Sequence, residues 1–148
     1  VVNKKKVCGM LTELSAELSC INYVVIGIGI NANMKEFPDE IKDIASSLYI
    51  ESGKQVKRAY VIEAVGRYFE KYYEAFIKAG DLSTIADEYN TMLANAGKQV
   101  RIIGNDKEEI YTAVGINPEG GLVVKDDDGN LKEIRSGEVS VRGLYGYV

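Results

Sequence analysis

The stretch KKKVCGMLTELSAELSCINYVVIGIGINAN, residues 4–33, decides the fold of the chain. It predicts two β-strands, the first over residues 7–17 and the second over residues 23–30, where β-branched residues dominate. Polarity rises over residues 15–22, so we expect a hairpin-type connection there and antiparallel pairing of the two strands. Both faces of the first strand are largely apolar as far as Glu13, which predicts burial on both sides within a larger sheet.

The second strand ends in GIGIN, residues 27–31, where two glycines would let a ligand approach the backbone closely. The pattern is not a dinucleotide-binding fingerprint, because the third glycine and an immediately following helix are both missing. Two glycines that only permit tight strand packing would give the same pattern. It becomes more specific beside a strand that carries a lysine, Lys6, and a further glycine, Gly9.

Composition removes several classes of function. The 148 residues include no histidine, which excludes a histidine-based triad, metal site or acid–base group among them. A net charge of −4 argues against a general nucleic-acid binder. Cys8 and Cys20 match neither a redox nor a zinc spacing, so we expect two buried free thiols in a reducing compartment. No apolar run approaches 18 residues and no signal peptide opens the chain, so we expect a cytoplasmic location.

Two acidic clusters do not predict metal binding. The run DDDGN, residues 126–130, differs from a calcium-binding EF-hand loop because strands rather than helices are expected on either side of it. It predicts a solvated hairpin turn. The acidic residues within 36–43 fit the start of a helix, where negative charge is favoured. We therefore predict no metal site in the chain.

The middle of the chain predicts helices. Pro38, with acidic residues after it, marks the start of a helix that Gly53 would close. An apolar and tyrosine-rich stripe at helical spacing predicts a second helix over residues 57–79, with the stripe packed in a core. Gly80 is predicted to cap that helix, and Asp81 to be the N-cap of a third helix over residues 82–95.

The composition changes after Gly97, where short strand-like runs alternate with turn signals. This pattern predicts a small all-β unit with an SH3-like or OB-like barrel. We place the domain boundary at residues 97–98, which gives domains of 1–96 and 97–148 and an α+β fold class. The five predicted strands are 99–103, 109–116, 122–125, 131–135 and 139–142.

Three motifs occur in order along the chain: KVCGMLTE at residues 6–13, VIGIGINAN at 25–33 and GEVSVR at 137–142. In this order, with helices between the second and the third, the chain resembles the C-terminal half of biotin–protein ligases over essentially its whole length. That family includes bacterial enzymes that double as biotin operon repressors. The resemblance implies part of a mixed β-sheet with packed helices, related to class II aminoacyl-tRNA synthetases, followed by a small SH3-like barrel.

The resemblance also implies an activity. Family members join biotin to ATP, releasing pyrophosphate and forming biotinyl-5′-AMP, and then transfer the biotinyl group to a lysine of a carrier protein. The expected substrates are therefore biotin and ATP, and the expected partner is the biotin-accepting carrier domain of a carboxylase subunit. Mg²⁺ is expected in the intact enzyme, with ligands that the sequence does not identify.

Site residues carry over where the motifs match. Lys6 stands where the family has a catalytic lysine that contacts the biotin carboxylate and the activating phosphate. A fixed cation between two anions lowers their repulsion without a proton-transfer group. The residues that match the wall of the biotin pocket are Gly9, Leu11, Gly27 and Gly29. The residues that match nucleotide-binding positions are Asn31, Glu138 and Arg142, with Arg142 the candidate for the ATP phosphates.

The sequence also departs from the family. A glycine- and arginine-rich loop, a Trp-Pro-Asn-Asp motif and a DNA-binding winged helix do not occur in it. We therefore expect a fragment that is inactive alone, that binds no nucleic acid or membrane, and that forms a homodimer or a strand-exchanged oligomer. Two alternatives remain open: a non-catalytic protein-binding module, and a lipoate-type ligase of the same superfold.

Overall fold

The structure, a computed structural model, describes residues 1–17, 20–104, 107–135 and 139–143. It divides into two compact units, Val1–Val61 and Ile62–Val148. The predicted domain boundary at 97–98 remains a prediction. In chain order the elements are β1 (Cys8–Glu17), β2 (Cys20–Ile30), α1 (Leu48–Ser52), α2 (Arg58–Ala79), α3 (Ala86–Met92), β3 (Gln99–Gly104), β4 (Lys107–Ile116), β5 (Leu122–Lys125), β6 (Leu131–Ile134) and β7 (Val139–Gly143).

The first unit contains the predicted hairpin. Strands β1 and β2 pair antiparallel, with Gly9 opposite Gly29, and the register shifts once between Ser15 and Ala16. Antiparallel pairing of the two strands is therefore confirmed. Strand β1 ends at Glu17, as predicted, whereas β2 begins at Cys20, three residues before its predicted start.

The predicted burial of the first strand on both faces is wrong for the part of the chain that the structure describes. Leu11 is 79% exposed on one face, and Met10 is 70% exposed on the other. The physical reason is that β1 and β2 form a two-stranded sheet on which no other described helix or strand packs. Both cysteines are free as predicted, but neither is buried: Cys8 is half-buried and Cys20 is exposed.

The helix predicted between Pro38 and Gly53 is mostly replaced by turns. Only α1 is helical, and Ala45 instead forms a parallel bridge to Lys6. The Ser47 side chain sets the start of α1 by accepting a hydrogen bond of 3.1 Å from Ile50 N. Gly53 closes α1 with φ of 68°, as predicted.

Helix α2 is confirmed, and it ends at Gly80 with φ of 81°. Its predicted stripe is only partly covered: no residue of α2 is fully buried, and Tyr68 and Phe76 are exposed. Within the described ranges, no helix is both long and apolar enough to cross a membrane. The third helix is shorter than predicted because residues 81–85 form turns, in which Asp81 accepts a 2.9 Å hydrogen bond from Ser83 N.

The second unit contains a five-stranded antiparallel sheet with the order β6-β5-β4-β3-β7. All five predicted strands are confirmed, with ends within two residues of the predicted ones. Their alternating apolar residues supply a small core. The SH3-like or OB-like closure of this sheet remains a prediction. The buried core residues are Val100, Ile102, Ala113 and Val124.

Gly115 of β4 tests how tightly α3 is joined to this sheet. Asn90 donates from Nδ2 to the Ile116 carbonyl at 3.1 Å and accepts from Ile116 N at 2.7 Å. A Cβ on Gly115 would lie 2.7 Å from Asn90 Cγ. Gly115→Ala should therefore displace the amide and lower the free energy of unfolding by about 1–3 kcal/mol, measured by urea denaturation.

Gly66 in α2 supplies the matched control for that substitution. A Cβ there would meet nothing within 4 Å. Gly66→Ala should therefore raise the free energy of unfolding by about 0.5–1 kcal/mol, since alanine is the better helix former. Equal effects of the two substitutions would contradict the proposed role of the Asn90 contact.

Candidate functional site

One face of the hairpin brings four of the predicted site residues together. Gly9 lies opposite Gly29, and Leu11 lies opposite Gly27. Residues directly opposite in an antiparallel pair project to the same side of the sheet, as do residues two apart along a strand. The four therefore share one face, which we call the glycine face. The opposite face carries larger apolar residues, including Met10 and Ile28.

Lys6 lies at the end of the glycine face. A Cβ built on Gly9 would lie 3.4 Å from Cε of Lys6 and 3.6 Å from its Nζ. The ammonium group is therefore on the same side of the sheet as the glycines. This arrangement places a positive charge at the edge of the glycine face, which is made largely of backbone. This charge lies within reach of a carboxylate or phosphate bound on the glycine face.

The two glycines of β2 are not required by packing within the hairpin. A Cβ on Gly27 would meet only the Leu11 carbonyl oxygen, at 3.8 Å, and one on Gly29 only the Gly9 carbonyl oxygen, at 3.8 Å. Both distances are ordinary van der Waals contacts. The hairpin could therefore accept side chains at both positions. Because glycine has no side chain, the space above both positions is open, as a ligand site requires.

Both backbone polar groups of Lys6 are held by the segment around Ala45. Its N–H donates to the Ile44 carbonyl at 2.8 Å, and its carbonyl accepts from Ser46 N at 2.9 Å. Immediately before it, Asn3 and Lys4 have φ of 47° and 64° in a tight turn. Positive φ at both central residues is typical of a type I′ turn. The lysine therefore projects from a backbone position held by a turn and by a parallel bridge.

Asn31 is tied to the same region. Its N–H donates to the Val7 carbonyl at 2.8 Å, and its side-chain Nδ2 donates to the Ser46 carbonyl at 3.0 Å. Its own carbonyl accepts from Leu48 N at 2.9 Å. The structure thus brings Asn31 to the segment that also holds Lys6. Its predicted contact with a nucleotide remains a prediction.

Sequence reasoning missed Ser46 and Glu51. Ser46 has no exposed surface, and its hydroxyl donates to Oε1 of Glu51. The other carboxylate oxygen, Oε2, accepts from Asn3 Nδ2 at 2.5 Å. The serine pair before α1 could have been read as a helix start from the N-cap preference of serine. The partnership of Glu51 with Asn3 spans 48 positions, and no local signal announces it.

These contacts perturb the titration of Glu51. Hydrogen bonds from Ser46 and then Asn3, together with the charge of Lys5, hold the pKa of the Glu51 carboxyl below its ordinary value of 4.5. A carboxyl whose pKa is lower in the folded state stabilises that state above its unfolded pKa. This contribution is lost as the pH falls through the folded-state pKa. Glu51 is therefore ionised at neutral pH.

The predicted site residues of the second unit are less fully described. Glu138 lies outside the described residues. Arg142 lies on β7, with its Cα opposite that of Arg101 on β3. Their predicted roles in ATP binding remain predictions. Across the residues that the structure does describe, no group of three or more cysteine, aspartate and glutamate side chains could hold a metal ion.

A second feature of the first unit lies near Asn33. The Asn33 amide accepts from Val56 N at 2.9 Å and donates to the Val56 carbonyl at 2.9 Å. An open cleft beside this pair is lined by these two residues together with Gln55, Lys57 and Arg58. Its basic rim was not predicted from the sequence, because these residues are separated along the chain from Asn33.

Comparison with known proteins gives consistent matches. Residues 96–142 match the family model described as the biotin protein ligase C-terminal domain. The bifunctional ligase/repressor BirA of Bacillus spizizenii is 36% identical over 143 residues, which cover 95% of this chain and 43% of that protein. The bifunctional ligase/repressor BirA of Escherichia coli is 26% identical over 138 residues, 93% of this chain and 42% of that protein.

Solved structures agree with these matches. The apo structure of the biotin protein ligase of Aquifex aeolicus has a TM-score of 0.79 and 33% identity, covering 95% of this chain and 60% of that one. The same enzyme in complex with biotin and ATP has a TM-score of 0.78 and 33% identity, covering 95% of this chain and 57% of that one. The chain thus spans less than half the length of the curated relatives it matches. The resemblance predicted from the three motifs is confirmed.

Proposed function

Because the chain corresponds to the C-terminal region of biotin protein ligases, we propose that its glycine face forms one side of a biotin- and ATP-binding site. The observation that carries the proposal is the placement of Lys6 over Gly9 at the edge of the open glycine face. Biotin would lie with its apolar part against Gly27, Gly29 and Leu11. Its carboxylate would point to Lys6.

In this proposal the complete protein activates biotin with ATP. The biotin carboxylate attacks the α-phosphate of ATP, a carboxyl–phosphate bond forms, and pyrophosphate leaves. Lys6 lowers the repulsion between the two anions and stabilises negative charge that develops on the phosphate. The amine of a carrier-protein lysine then attacks the mixed anhydride, which forms an amide and releases AMP. Neither step needs histidine.

The nucleotide side of the site is assigned to Asn31, Glu138 and Arg142. Support for Asn31 comes from its hydrogen bond to Ser46, which places it beside the segment that holds Lys6. Arg142 would pair with phosphate oxygens. Mg²⁺ would neutralise ATP phosphate charge in the complete enzyme. The described residues lack a cluster of acidic ligands, so no residue of this chain is assigned to the ion.

Further properties are proposed with this function. Residues 1–96 would form the C-terminal part of a catalytic domain related to class II aminoacyl-tRNA synthetases, and residues 97–148 would form an SH3-like domain. The partner would be a carboxylase carrier protein in the cytoplasm. The exposed, two-stranded hairpin favours a homodimer or a strand-exchanged oligomer. We assign no contact with DNA or membrane to these residues.

A transfer assay tests the activity. The full-length natural protein, given ATP, Mg²⁺ and radiolabelled biotin, should label a purified carrier domain. The isolated 148-residue chain should not label it, because the family's Trp-Pro-Asn-Asp motif and glycine- and arginine-rich loop do not occur in its sequence. Labelling by the isolated chain would overturn the proposed inactivity of these residues alone.

Calorimetric titration tests the choice of acid. Biotin and lipoate should each be titrated into the full-length protein, first without a nucleotide and then with a non-hydrolysable ATP analogue. We expect heat with biotin and none with lipoate. Heat with lipoate alone would favour the lipoate-type ligase, and no heat with either acid would favour a non-catalytic binding module.

A further inference from the structure

Ser46 lies where three parts of the candidate site meet. Its N–H donates to the Lys6 carbonyl at 2.9 Å, and its carbonyl accepts from Asn31 Nδ2 at 3.0 Å. Its side chain is fully buried and donates to Glu51. A shift of Ser46 would therefore move the backbone of Lys6 and the side chain of Asn31 together.

Glu51 holds Ser46 and the turn before Lys6 at the same time. One carboxylate oxygen accepts from the Ser46 hydroxyl and the other from Asn3 Nδ2. Asn3 lies in the tight turn closed by mutual hydrogen bonds of 2.9 and 2.8 Å between Val2 and Lys5. The Glu51 carboxylate thus links Ser46, which is hydrogen-bonded to Lys6, to the turn that precedes Lys6.

We propose that Glu51 is a positioning residue for biotin activation, which holds Lys6 and Asn31 in place through Ser46 and Asn3. This inference rests on the proposed function. Glu51 need not touch either substrate. Its effect is on the geometry of the lysine, and a misplacement of about 1 Å in a positioned group can lower a rate by about 100-fold.

The geometry of the glycine face should not depend on the hydrogen bonds of Glu51. Gly27 and Gly29 are held by the β1–β2 ladder, and their spacing does not depend on Glu51. Loss of Glu51 should therefore lower the rate of the chemical step far more than it lowers biotin affinity, to which Lys6 contributes only the carboxylate contact. This separation of kcat from binding distinguishes positioning from simple loss of structure.

The test uses the full-length protein and measures pyrophosphate release in a single turnover with saturating biotin and ATP. Glu51→Gln keeps one acceptor oxygen but loses the charge and the second acceptor. We expect its rate per biotin-binding site to fall about 10- to 100-fold, with the biotin Kd within about 3-fold of the wild type. Glu17→Gln, the same change at the exposed far end of β1, is the matched control and should keep the wild-type rate.

A double-mutant cycle tests the route. Ser46→Ala removes the hydroxyl that Glu51 accepts, so Ser46→Ala with Glu51→Gln should be less harmful than the product of the two single effects. Thermal unfolding of every variant measures any loss of structure. Rates are counted per competent biotin site, so unfolded protein does not lower them. Multiplicative effects would show that Glu51 does not act through Ser46.

The remaining outcomes separate this inference from the proposed function. A wild-type protein that neither binds biotin nor releases pyrophosphate would overturn the proposed function itself. A wild-type protein that is active, beside a Glu51→Gln variant with an unchanged rate per site, would overturn only the positioning role. A Glu51→Gln variant that loses biotin affinity in proportion to its rate would likewise overturn it.

Discussion

Replacing Lys6 with alanine in the full-length protein is expected to lower the rate of biotinyl-adenylate formation by about 10²- to 10³-fold, the usual cost of removing one electrostatic stabiliser of a transition state. The ammonium group lies at the edge of the glycine face, beside Gly9. It is thus placed where a carboxylate bound on that face would meet a phosphate. The measurement is pyrophosphate release in the presence of biotin and ATP.

The fold should survive this substitution. Lys6 is anchored through backbone hydrogen bonds to Ile44 and Ser46, and alanine keeps both. Lys6→Arg should recover part of the rate, because the charge remains but its position and shape change. Lys54→Ala, which removes an exposed lysine of the same unit, is the control and should have no effect. A Lys6→Ala rate within about 2-fold of the wild type would contradict the electrostatic role assigned to this lysine.

Secondary structure was predicted correctly from the sequence where local patterns and tertiary structure agree. All five strands of the second unit were predicted because their apolar alternation is bounded by turn residues. The hairpin pairing followed from two strand patterns close together in the chain. Helix α2 followed from its length and period, and Gly80 from the preference for glycine at a left-handed cap position.

Non-local contacts decided what the sequence could not predict. Residues 39–44 carry helix-start signals, yet Ile44 and Ser46 pair with the backbone of Lys6. That pairing uses backbone groups which a helix would need for itself, so helix formation is confined to α1. The Glu51 network was missed for the same reason, because its partners lie far apart in sequence. Period alone also cannot show whether an apolar strand is covered, and the exposed faces of β1 were therefore mispredicted.

Replacing Gly29 with valine should lower biotin affinity without lowering stability. A Cβ at this position meets only the Gly9 carbonyl oxygen, at 3.8 Å, so the hairpin has room for it. Valine favours strands and glycine weakens them, so the free energy of unfolding should be unchanged or slightly higher. The new side chain would project from the glycine face into the space assigned to biotin.

The expected result for Gly29→Val is a rise in the biotin Kd of about 10- to 100-fold, which corresponds to an overpacking cost of about 1–3 kcal/mol. Calorimetry on the full-length protein measures the Kd, and urea denaturation measures stability. Ile28→Val, one position away on the opposite face, is the control and should leave the Kd unchanged. Lost affinity in a protein that is at least as stable indicates occupied ligand space, because a packing defect would lower both quantities. Unchanged biotin affinity in the Gly29 variant would therefore place the ligand on another surface.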